Sequence, residues 1–109
     1  MAQVVFFRPG RLVGILIGFD VRETNAHIGE LSNDGYFVCN VVPGRHVFTA
    51  SAVNTDSLTL EIDEGEIAYV VGSASMGLFG YEANLNLSDE SAFSQTFKRL
   101  HPANSHCAP

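Results

Sequence analysis

Positive charge is scarce in this chain: six lysines and arginines stand against twelve aspartates and glutamates, a formal net charge of -6. That sign opposes counterion-driven binding to nucleic acid and attraction to an anionic membrane surface. Long apolar runs are missing too. The longest, LVGILIGF from Leu12 to Phe19, is split by two glycines and falls far short of the roughly 20 residues of a membrane-spanning helix. It reads as a buried strand continuing to Val21, with Val13, Ile15, Ile17 and Phe19 on one face and Gly14 and Gly18 on the other. No secretory signal is visible in MAQVVFFRPGR, which enters strand-like sequence at once. The expectation is a cytoplasmic chain, or one supplied without its leader. Cysteine is limited to Cys39 and Cys107. They permit one disulfide, but Cys39 lies in an apolar run and reads as a packing residue, while Cys107 lies in a tail without periodicity.

What is present is alternation. SLTLEI sets Leu58, Leu60 and Ile62 against Ser57, Thr59 and Glu61, and YEANLNL sets Tyr81, Ala83, Leu85 and Leu87 against Glu82, Asn84 and Asn86. GYFVCNVV, EIAYVV and QVVFFR are less polar on their second face and read as central strands. The turn signals RPG, TNAH, SNDG, PG and DEGE separate these runs at spacings typical of an all-β sandwich or barrel, giving about seven or eight strands. No connection before Ser88 has room for the helical crossover of an α/β sheet, which favours antiparallel pairing. In VVPGRH, Pro43 and Gly44 suit a type II turn rather than a tight hairpin, so a structural corner is expected there, one that either splays its strands or redirects the chain between sheets.

A helix is predicted over 88–100, with Ser88 as its cap and Phe93, Phe97 and Leu100 on one face. The domain is then 1–100, and the tail 101–109 reads as loose.

Few residues offer chemistry. His27, His46, His101 and His106 lack metal-ligand spacing, so no metal or cofactor is expected. GSASMG misses the G-x-S-x-G nucleophile elbow and reads as a loop. The acidic patch Asp56, Glu61, Asp63, Glu64 and Glu66 reads as a solvated hairpin edge rather than a calcium loop. The binding candidates are Arg8, Arg11 and Arg45, which would form an anion patch if their loops met at one end, and His46 beside them.

The segments VVFFRPGRLVG, IGELSNDGYFVCNVVPGRHVFTAS, SLTLEIDEGEIAYVVGSASMGLFG and LNLSDESAFSQTFKRL together resemble the bacterial family designated domain of unknown function 2846. The resemblance implies a small β-sandwich of prealbumin-like form in exported, often lipid-anchored proteins of the periplasm or cell envelope, with no catalytic residue to carry over. The leader and lipid-attachment cysteine of that pattern are not in this sequence.

These observations point to an all-β, antiparallel sandwich of prealbumin-like or immunoglobulin-like Greek-key type with one C-terminal helix. The expected role is a non-enzymatic binding or assembly module, engaging a protein partner or a second copy of itself through an edge strand or end loops. Membrane contact is expected only through the missing anchor. A carbohydrate or small-ligand site built on Tyr36, Phe79 and Tyr81 is one alternative. A small hydrolase using His46 is the other.

Overall fold

The computed structural model describes residues 1–107. Strands β1 (Ala2–Arg8), β4 (Gly35–Val41), β7 (Ile67–Gly77), β8 (Gly80–Ser88) and β9 (His101–Pro102) form one sheet in the order β8-β7-β1-β4-β9. The other sheet contains β2 (Phe19–Glu23), β3 (Ala26–Leu31), β5 (Gly44–Ser51) and β6 (Thr55–Ile62) in the order β3-β2-β5-β6. The all-β sandwich with a C-terminal helix is therefore the fold.

Alternation decides which side chains face between the sheets. Phe37, Cys39 and Val41 of β4 meet Phe48 and Ala50 of β5, Phe19 and Val21 of β2, and Ile28 and Leu31 of β3. Phe6 stacks on Phe37 at 4.9 Å and meets Phe48 edge-on at 5.1 Å. Each such ring contributes about 1.5–3 kcal/mol by leaving water. Strand β1 is buried on both faces, since Val5 and Phe7, pointing away from the second sheet, are covered as well. The cover is α1 (Glu90–Thr96), whose Phe93 lies 5.3 Å from Phe7 and 5.6 Å from Tyr69, so the molecule has a third, partial layer.

The corner at Val42–Gly44 passes the chain from β4 in one sheet to β5 in the other, with Gly44 at φ +132. Of the two alternatives for this corner, redirection between sheets is the one found.

Several local expectations are corrected. Pairing is not uniformly antiparallel: β1 runs parallel to β7, from Gln3 opposite Ile67 to Phe7 opposite Val71, and β4 runs parallel to β9. The crossover is supplied by strands of the second sheet, so no helix is needed. The helix is shorter than 88–100, ending at Thr96 before a 3-10 turn at Phe97–Arg99, and its cap is Asp89, whose carboxylate accepts the Ala92 N–H at 2.8 Å. Ser88 closes β8. GSASMG is not a loop, because β7 runs through it to Gly77. LVGILIG is not a strand, and β2 begins only at Phe19.

Nor are residues 101–107 loose. The Ala103 N–H donates to Tyr36 O and the His106 N–H to Ile28 O, both at 2.8 Å, and Ser105 bridges Gly29. Cys107 is disulfide-bonded to Cys39 across a Cα separation of 5.5 Å, which corrects the reading of Cys39 as a packing residue alone. The tail thus straps the free edges of β3 and β4, and the remainder of it, 108–109, lies outside the described residues.

Candidate functional site

The four sequence candidates do not come together. Arg8 pairs with Gly35 at one end of the sandwich, whereas Arg45 pairs with Glu61 next to the Val42–Gly44 corner at the other. The anion patch imagined from Arg8, Arg11 and Arg45 is therefore not formed.

Arg8 is one of the most buried side chains, 2% exposed. Its Nη1 donates to the Ile17 and Leu31 carbonyls, its Nη2 donates to Gly14 O at 2.7 Å, and its guanidinium carbon lies 4.2 Å from the centroid of the Phe19 ring. Burial pulls its pKa below the usual arginine value. With its donors committed to carbonyls, Arg8 clamps the 11–18 loop onto the sandwich rather than offering charge to a ligand. Arg11 is exposed at the base of that loop, where its N–H donates to Asn33 Oδ1 at 3.0 Å.

His46 faces inward, 7% exposed and stacked on Phe48 at 5.8 Å. Nδ1 meets the Glu23 carboxylate and Nε2 donates to Val42 O at 2.7 Å. Both neighbours accept hydrogen bonds, so the doubly protonated imidazolium is the form that satisfies both ring nitrogens. Burial opposes that charge, but the bonds to Glu23 and Val42 and the nearby Glu61 outweigh it and raise the pKa. His46 is thus a tie between β2 and the corner.

A cleft of about 230 Å³ opens between the sheets beside the tail, lined by Glu23, Ile28, Val41, His106 and the disulfide. His27 and His106 approach to 5.7 Å beside it, with His27 also bonded to Asp20. Among the described residues no group of three or more His, Cys, Asp or Glu is arranged to hold a metal ion. Tyr36 and Phe79 share no cleft: Tyr36 lies against Phe93 and Phe97, while Phe79 stands at the tip of the β7–β8 hairpin.

The conspicuous surface is one the sequence reading missed. Where β1 stops, the 11–18 loop takes its place beside the outer half of β7–β8. A Cβ on Gly14, at φ +70, would stand 2.6 Å from the Ala74 Cβ and 3.9 Å from the Tyr81 ring. From this end project Leu12 and Leu16 of the loop, 86% and 93% exposed, and Leu78 and Phe79 of the hairpin tip, 95% and 89% exposed. Val13, Ile15 and Met76 of the same two segments are exposed as well. No charged residue occurs in Leu12–Gly18 or Met76–Tyr81. Gly-Leu-Phe-Gly was the available signal, since a two-residue hairpin loop ordinarily takes Asn, Asp or Gly rather than Leu-Phe.

Three strand edges, by contrast, are partly occupied, those of β8, β3 and β4. Asn54 takes the Ala83 N–H at 2.7 Å and donates to its carbonyl at 3.0 Å, and Asp56 accepts the Leu85 N–H at 2.8 Å, so side chains from the β6 side fill hydrogen-bonding positions along β8. The tail fills positions on β3 and β4.

The chain matches no family model, no curated protein and no solved structure.

Proposed function

We propose that this protein is a non-enzymatic binding module that docks through the apolar end formed by the 11–18 loop and the β7–β8 tip. The carrying observation is four large apolar side chains, Leu12, Leu16, Leu78 and Phe79, standing almost fully in water at one end of a sandwich whose core is otherwise closed. Exposed apolar clusters of this kind mark interaction surfaces. Docking by edge-strand pairing is the weaker variant, because side chains and the tail already engage β8, β3 and β4. The hydrolase reading is less supported, since both nitrogens of His46 are engaged, by Glu23 and by the Val42 carbonyl. An envelope location agrees with the family resemblance, and the Cys39–Cys107 bond favours an oxidising compartment.

Photo-cross-linking in the native cell tests the docking end. A cross-linking amino acid at position 79 is expected to capture a specific protein or lipid, and one at Arg45 is not. Capture only from position 45, or none from position 79, overturns the proposal.

A further inference from the structure

We propose that the apolar end inserts into the interface of an electrically neutral lipid bilayer; this rests on the docking end just described and names its occupant. Charge is the first argument. The two inserting segments carry none, and the chain as a whole carries -6, so a neutral surface suits it and an anionic one repels it.

Backbone satisfaction is the second. A segment entering the bilayer interface loses water from its N–H and C=O groups, so each internal bond lowers the cost of entry. In the loop, the Ile15 N–H donates to Leu12 O and the Ile17 N–H to Gly14 O, while Arg8 reaches in from the core to the Gly14 and Ile17 carbonyls. In the hairpin, the ladder continues to the Gly77–Gly80 pair, so only Leu78 and Phe79 lie beyond it.

Shape is the third. The apolar residues sit on two separate turns, a loop and a hairpin tip, whereas a stable protein–protein interface needs about 800 Å² of complementary surface on each partner. Projecting turns enter a deformable medium more readily than they match a rigid one. Glu82, whose carboxylate group lies against Gly77, and Arg11 at the loop base set the depth. Charge so close behind both turns suits a shallow insertion, within the about 5–10 Å penetration of interfacial elements.

The chain has no tryptophan, which makes Phe79→Trp a single-site probe. With phosphatidylcholine vesicles its emission is expected to shift to the blue and to be quenched by bromine-labelled acyl chains. Val42→Trp, at the opposite end, is expected to show neither. The Leu78→Ser/Phe79→Ser double variant, at positions exposed enough not to affect folding, should lose about tenfold or more in vesicle partitioning. Adding phosphatidylglycerol should weaken binding. Three results overturn the bilayer: no blue shift at position 79, equal shifts at 79 and 42, or a tip-dependent dimer in sedimentation without vesicle binding. If position 79 then still cross-links a protein, the docking end survives and only its occupant changes. If it cross-links nothing, both readings fall.

Discussion

Replacing Arg8 by Met should be among the most destabilising single changes outside the aromatic core. The side chain makes three hydrogen bonds from a charged donor, to Gly14 O, Ile17 O and Leu31 O, and is 2% exposed. Hydrogen bonds involving a charged group contribute about 1.5–3 kcal/mol each, and removal strands the Gly14 and Leu31 acceptors in buried surroundings. Against this, methionine no longer desolvates a guanidinium, a relief of several kcal/mol. The net expectation is a loss of about 3 kcal/mol, or roughly 12 °C in Tm at about 4 °C per kcal/mol for a domain of this size. Arg8→Lys should lose nearly as much, because a point ammonium cannot span three carbonyls as the planar fork does. Urea denaturation measures the loss as a lower midpoint at unchanged slope. Chymotrypsin cleavage after Leu12 and Leu16 should accelerate in parallel as the loop comes off the sandwich. If both variants stay within about 0.5 kcal/mol of the parent, the clamp is wrong and the loop is held by its apolar contacts alone.

His46 should make stability fall toward alkaline pH. Its folded pKa is raised above the ordinary 6.5, so its contribution is complete below that value and is lost as pH rises through the folded pKa. Urea midpoints taken from about pH 6 to 8.5 should show this loss in the parent, and a flatter profile in Glu23→Gln. The Cys39–Cys107 bond closes a separation of 68 residues, so reduction or Cys107→Ser should cost about 4 kcal/mol in the chain-entropy account and free the 101–107 strap to hydrogen exchange. Asn54→Ala leaves the Ala83 N–H and C=O without their side-chain partner, and a loss of about 1–3 kcal/mol is expected by denaturation.

Strands with one wet face were the plainest in the sequence, and the less polar runs QVVFFR, GYFVCNVV and EIAYVV were legible too, as the interior strands β1, β4 and β7. β6 and β8 alternate because solvent lies on one side, and the pattern survives in the structure as Leu58, Leu60 and Ile62 facing in. Pairing direction was not legible, because β1 meets β7 only after the intervening strands have built most of the second sheet, and no local signal records that return. The tail was opaque for a related reason. Two residues in β9 are too few to show a period, and its position depends on a bond to Cys39 far away in sequence. The candidate arginines were chosen for charge, which says nothing about which end of the sandwich a strand start occupies. Arg8 lies beyond a run of buried apolar residues, and its inward course is fixed only when the Gly14 and Ile17 carbonyls fold over it.

The misreading of Leu12–Gly18 bears most directly on function. Val13, Ile15 and Ile17 alternate as a buried strand would, and apolarity alone gives no reason to place them outside. What defeats the strand is local: Gly14 at φ +70 is shared by two overlapping turns, one closed from Ile15 to Leu12 and one from Ile17 to Gly14, and the backbone is drawn onto Arg8 instead of onto a neighbouring strand. Ile17 still packs against the core, but Leu12, Val13, Ile15 and Leu16 are left outside, where the space between the sheets is already filled by Phe6, Phe19, Phe37 and Phe48. Residues whose apolarity the fold does not consume must be accounted for by something outside the fold. The same holds independently for Leu78 and Phe79, where turn chemistry alone would favour small polar residues. Two unrelated local structures thus present surplus apolar surface at the same end, adjacent through Gly14, Ala74 and Tyr81. That convergence, more than the exposure of any one side chain, is the reason to seek the function there.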